Sequence, residues 1–503
     1  DVDVGVNDVD VDVDADADAD VDVDVNVNVN ISMCCILPHH QPAINAVYED
    51  SVQASTLLNT PVIKKRAGLR KFLYMFNLTN NMNSLLTSSP KRNLRGLDGL
   101  RAFSMLWIIL AHTTLLTSGK GYEDPHTALK FLVSTPDQFI VGANLAVDTF
   151  FFIAGVLTSY TTINGLRKQK LAVYLIPKQI GFFTLLRWLR LVPVYMYLLF
   201  VFSEVSPVVG SGPFWFHMNE DVSYCKQYWW TNFLFINNFV PQDFYHQCMS
   251  WSWYLANYMQ FSIVALIILY IYVRSALSGK ILTLVLTFGL TILSYFILAD
   301  DAYDNAKFQN SYYDKPYTRM PALTLGVYLG MVLRDTPPSK LKLSPTVAFC
   351  ARHTAVGVLL FLIYVFDSMF NRRSAEENSP KRDWTSHELA AYYTFGRLAF
   401  CGCIGVLTFV CTVGGGGIYS KFLNLSFWEP LGKLTFGAYL VHPIFIRVFS
   451  YSQPYYTYIY PYQLAINFLG IAVVSYAFAV LTYILIELPF ETMLMGLKGK
   501  KKK

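Results

Sequence analysis

Between residues 100 and 486 the chain repeats one pattern, an apolar stretch of about 20 residues followed by a polar break. A helix rises about 1.5 Å per residue, so roughly 20 apolar residues are needed to cross a hydrocarbon core about 30 Å thick. Inside lipid the backbone has no water to bond, and a helix satisfies its own N–H and C=O groups. Spans are expected at residues 100–118, 142–160, 181–203, 251–272, 280–299, 320–336, 347–366, 388–412, 432–450 and 464–486. Charge agrees with this reading. Hydrophobic residues make up 53% of the chain and charged residues 15%, where a soluble protein carries about 25% charged residues. The expected fold class is all-α, a polytopic membrane bundle of about ten transmembrane helices.

Lys and Arg collect in loops that face the cytosol. Lys64, Lys65, Arg66, Arg70, Lys71, Lys91, Arg92 and Arg95 precede the first span, and Lys498, Lys500, Lys501, Lys502 and Lys503 follow the last. An even number of spans puts both termini on one side, so both are expected in the cytosol. Arg167 with Lys168, Arg274 with Lys280, and Arg334 with Lys340 fall on that side too. The loop 367–387 dissents, mixing Arg372, Arg373, Lys381 and Arg382 with Glu376, Glu377 and Asp383. Cys225 and Cys248 lie in the long loop 204–250 on the opposite, oxidising side, where they either pair as a disulfide or stay as two thiols. The cysteines show no metal-ligand spacing, and no metal is expected.

Residues 1–31 alternate Asp with Val, Ala and Asn and contain eleven aspartates. Mutual repulsion and the lack of packing variety point to a disordered acidic tail. Residues 32–93 read as a basic cytosolic lead-in, 94–490 as the membrane domain and 491–503 as a basic cytosolic tail. Without the acidic tract the remainder is more basic than the +5 of the whole chain. That suits anionic lipid headgroups or an anionic cofactor, with no nucleic acid as partner.

Ionisable residues inside the spans mark the candidate chemistry. Arg101 and His112 are eleven residues apart, about three helical turns plus 20°, so they share one face, with His112 about 16 Å deeper. A histidine at that depth serves either as a hydrogen-bonded link between helices or as a base in a cavity. Asp148 lies about 9 Å inside the second span, at a similar depth. It can orient the imidazole of His112, leaving the other ring nitrogen as base, or it can pair with Arg319. Arg187 and Arg190, three apart at the start of the third span, form a fork suited to phosphates or snorkel to the interface.

Seven segments in order carry a resemblance. They are Arg101-x10-His112, Asp148-Thr-Phe150-Phe151-Phe152, Arg187-x-x-Arg190-x-x-Pro193, Ser252-Trp253-Tyr254-Leu255, Arg319-Met-Pro321, Tyr439-Leu-Val-His442-Pro443 and Glu487-Leu-Pro489-Phe490. Over residues 93–490 the chain resembles the acyltransferase-3 family, and within it the invertebrate nose-resistant-to-fluoxetine group. The resemblance implies a ten-helix domain that transfers an acyl group from acyl-CoA to a hydroxyl acceptor such as a lipid or a glycan. It also implies that His112 is the catalytic base, that Arg101 and Asp148 belong to its site, and that Arg187 and Arg190 bind the donor. Ala154 stands where bacterial relatives usually have serine, which removes a hydroxyl there. A carrier for lipids or hydrophobic small molecules, using the same buried His and Asp, is the alternative expectation.

Overall fold

The computed structural model describes residues 72–87, 94–134, 137–169, 173–336, 340–341, 343–365 and 384–499. The acidic tract 1–31, the basic lead-in up to residue 71, the dissenting loop from 366 to 383 and the last four lysines, 500–503, lie outside these residues. Twelve helices frame the domain: α1 (Gly96–Leu115), α2 (Ala146–Gln169), α3 (Ile176–Phe200), α4 (Trp215–Phe233), α5 (Trp253–Arg274), α6 (Ala276–Leu298), α7 (Pro316–Asp335), α8 (Pro345–Tyr364), α9 (Arg397–Thr412), α10 (Trp428–Tyr451), α11 (Pro461–Thr482) and α12 (Leu488–Gly499). Among the described residues the only β pairing is an isolated bridge between Tyr122 and Thr457. The fold is all-α.

Seven helices, α2, α3, α5, α6, α8, α9 and α11 with their flanking turns, are long and apolar enough to cross a membrane. Three more expected spans coincide with α1, α7 and α10, of 20, 20 and 24 residues. These three carry the buried polar groups Asp98, Arg319, Glu429, His442 and Arg447, which lower their apolarity. The helices richest in candidate chemistry are thus the ones least legible as spans.

Small residues fix the tightest helix pair. A Cβ on Gly326 of α7 would lie 2.1 Å from the Phe152 carbonyl oxygen, and one on Gly155 of α2 would lie 2.2 Å from that of Leu323. Gly330, one turn beyond Gly326, faces Ser159 in the same way. Such small-xxx-small stripes let two backbones touch where lipid offers no hydrophobic drive for association. The pairs Asp148–Arg319, Asn164–Arg334 and Arg167–Asp335 follow one another along both helices, so α2 and α7 run parallel.

On the other flank, α4 is a polar helix rather than a span, and its Cys225 is disulfide-bonded to Cys248. The Asn232 amide beside it donates to the Tyr195 hydroxyl at 2.7 Å, the Cys248 carbonyl at 2.9 Å and the Ser252 hydroxyl at 3.1 Å. One buried amide therefore ties α3, α4 and the start of α5 into a second core. Leu440, Val441 and Ile444 of α10 pack into it, while His442 faces the other way, toward α1.

Candidate active site

His112 stands near the end of α1 and His442 in the middle of α10. Their rings lie nearly parallel, and His112 Nδ1 is 2.8 Å from His442 Nε2. His442 Nδ1 is in turn 2.9 Å from the carbonyl oxygen of Ala438, one turn earlier on the same helix. A carbonyl only accepts, so His442 Nδ1 must carry its hydrogen, and the neutral ring then presents a lone pair at Nε2. His112 consequently donates from Nδ1 and keeps its lone pair on Nε2. The chain of bonds selects one tautomer of His112. His442 is 0% exposed, whereas His112 is only partly buried. The free lone pair thus belongs to the less buried residue of the two.

Sequence patterning explains the placement of His442. It precedes Pro443, which has no N–H and so weakens the helix ladder at the carbonyl of Tyr439. The Tyr439 ring sits 6.3 Å from the His442 ring, and its hydroxyl bonds to the Trp251 carbonyl oxygen. Arg447, five residues on, is held by Asp221 of α4 at 2.8 Å and lies over the Trp251 ring.

Asp148 does not meet His112. Its carboxylate accepts from Arg319 Nη1 at 3.0 and 3.2 Å, with Arg397 Nε 3.6 Å away. The orienting partner of His112 is His442 instead. The physical reason is the glycine stripe, which sets α2 against α7 in a register that brings Asp148 level with Arg319. Two guanidiniums then satisfy a carboxylate that one neutral imidazole would leave poorly compensated.

The three arginines converge elsewhere. Arg187 lies over the Tyr258 ring at 5.2 Å, and the charges of Arg187, Arg190 and Arg101 all act on the Tyr258 hydroxyl. Arg190 is half exposed and 3.4 Å from Glu491 of α12, and Arg101 lies 3.5 Å from Asp98. Tyr258 stacks on Tyr254, whose ring meets Tyr439 edge-on at 5.5 Å. A row of tyrosines on α5 and α10 thus links the basic cluster to the histidine pair. Beside Arg187, between α3 and α5, an open groove of about 850 Å³ is walled by Thr184, Leu185, Trp188, Ile263 and Ile267. It contains none of the candidate site residues.

A family model described as an acyltransferase domain matches residues 94–484. The chain is 30% identical over 435 residues to nose resistant to fluoxetine protein 6 of Caenorhabditis elegans, covering 80% of this chain and 50% of that protein. It is 24% identical over 396 residues to the O-acetyltransferase OatA of Staphylococcus aureus, covering 76% of this chain and 56% of that protein. The chain therefore spans about half the length of the curated relatives it matches. No solved structure matches it. With the family's domain covering its membrane helices from α1 into the turn after α11, the chain belongs to the acyltransferase-3 family.

Proposed function

We propose that this chain is a membrane acyltransferase that moves an acyl group from acyl-CoA to a hydroxyl acceptor, with His112 as general base. The observation that carries this reading is the bond chain from the Ala438 carbonyl through His442 to His112, which leaves the lone pair of His112 on Nε2. In the proposed step His112 Nε2 takes the acceptor's hydroxyl proton as that oxygen attacks the thioester carbonyl. The C–S bond then breaks, and the departing thiolate takes the proton from the imidazolium. His442 shares the positive charge through its hydrogen bond and returns to its starting tautomer.

Arg187, Arg190 and Arg101 would hold the phosphates of the donor, and its arm would follow Tyr258, Tyr254 and Tyr439 toward the histidines. Ten membrane crossings, counting α1, α7 and α10, would put the arginine cluster and both termini on the cytosolic side, where the donor is made. The disulfide between Cys225 and Cys248 suits the opposite, oxidising side. The staphylococcal relative is an O-acetyltransferase by name, which makes acetyl the first acyl group to try, and the lipid and glycan hydroxyls expected from the sequence are the first acceptors. The test is release of free CoA thiol from acetyl-CoA by the purified chain in lipid nanodiscs, with lipid and glycan extracts as acceptors and acetylated product read by mass spectrometry. Acetyl-CoA left intact with every extract would defeat the proposal and put the carrier reading ahead.

A further inference from the structure

The charge around Asp148 does not balance. Arg319 and Arg397 are 1% and 5% exposed, and both face this one carboxylate. The nearby Asp314–Lys315 pair, at 2.9 Å, is neutral in itself. One positive charge is therefore in excess inside the bundle, where an uncompensated charge is costly. Arg319 Nη2 and the Nε, Nη1 and Nη2 of Arg397 make no hydrogen bond to any described residue. Aromatic rings occupy the faces of both guanidiniums, with Trp253 and Tyr313 against Arg319 and Tyr312 against Arg397, each at 4.9 Å. The unused N–H edges remain.

Arg319, Arg397 and Asp148 line a small cavity between α2, α6, α7 and α9, walled also by Thr291, Ser294, Thr318 and Thr394, so two guanidiniums and one carboxylate face it. Each of these hydroxyls already donates to a carbonyl oxygen, namely those of Thr287, Leu290, Tyr312 and Ala390. The guanidinium N–H groups are thus the free donors of the cavity, which has room for about one water-sized occupant. We propose that it is a structural site for a monatomic anion, chloride in a cell, which neutralises the Arg319–Arg397–Asp148 cluster and fixes α9 against the α2–α7 pair. None of its residues belongs to the His112–His442 pair or to the arginine cluster at Tyr258, so the site stands or falls independently of the acyl-transfer proposal.

The test is thermal melting of the purified full chain in chloride, bromide or sulfate at constant ionic strength, with gluconate as the baseline. A ligand that binds only the folded state raises the melting temperature along a saturating curve. Chloride and bromide should each give a saturating rise of about 2 °C or more, and sulfate, too large for the cavity, should give none. Arg397→Gln removes the excess charge and should abolish the chloride response. If that variant does not fold, the wild-type series still decides. A melting temperature indifferent to chloride, or one that changes linearly with all the salts alike, would overturn the site and leave the cavity to water.

Discussion

Adding a single methyl group to Gly326 should damage this protein more than most surface substitutions could. The Cβ would stand 2.1 Å from the Phe152 carbonyl oxygen, with the Phe152 carbonyl carbon at 2.9 Å. These are backbone atoms and cannot rotate away, so α2 and α7 must part by about 1 Å to restore van der Waals contact. The Asp148–Arg319 hydrogen bonds, at 3.0 and 3.2 Å, would then lengthen past the distance at which such bonds count. Overpacking costs about 1–3 kcal/mol, and breaking a buried ion pair about 3–5 kcal/mol. Partial relaxation should leave a loss on the order of 3 kcal/mol, a large part of the stability of an ordinary domain. Gly289 of α6 provides the control, because a Cβ there meets nothing within 4 Å, and replacing a helical glycine by alanine gains about 0.5–1 kcal/mol. Melting of detergent-solubilised protein followed by size exclusion should show Gly326→Ala lowered by about 5 °C or more, and Gly289→Ala unchanged or raised. Equal melting temperatures for the two variants would refute the close approach of α2 and α7.

Three other perturbations address the site and its frame. His442→Phe keeps the bulk but removes the acceptor for His112 Nδ1, so kcat should fall by roughly 10²-fold or more with little change in KM, and His442→Gln, which keeps an acceptor, should recover part of it; equal kcat for the two variants would show that His442 only packs. Arg187→Ala should raise the KM for acetyl-CoA with kcat nearly unchanged, the mark of about 1.5–3 kcal/mol of uniform binding to a charged group; an unchanged KM would move the donor elsewhere. Opening the loop closed by Cys225 and Cys248, 23 residues apart, with a Cys225→Ser, Cys248→Ser double variant should cost about 3 kcal/mol, read as a lower melting temperature, and equal stability would make the disulfide dispensable.

Apolar run length made the helices legible. The spans expected at 251–272 and 280–299 correspond to Trp253–Arg274 and Ala276–Leu298, within a few residues. The same signal is weakest in α1, α7 and α10, because each trades apolar residues for buried polar ones. His112 and Asp148 stood out for the same reason, since an ionisable group deep in a span needs a partner. Arg319 was legible only as one of two possible partners of Asp148, and His442 was not legible as the partner of His112. Arg319 is 171 positions from Asp148, and His442 is 330 from His112. Those distances are closed by helix packing, which local sequence does not encode. A partial clue existed in Gly155 with Ser159 and Gly326 with Gly330, each four apart and so able to form one stripe on its helix. Arg397, inside the expected span 388–412, carries the same signal of an ionisable group in an apolar stretch, but only helix packing shows that it faces Asp148.

Single-turnover acetyl transfer by His112→Ala decides whether His112 Nε2 takes the acceptor's proton. Wild-type and variant protein in nanodiscs would be mixed with labelled acetyl-CoA and an acceptor found active with the wild type, after matching melting temperatures establish that both are folded. Transfer should be slowed by roughly 10²- to 10⁴-fold in the variant, with acetyl-CoA binding retained because Arg101, Arg187 and Arg190 are untouched. Transfer at the wild-type rate by a folded His112→Ala protein would contradict it.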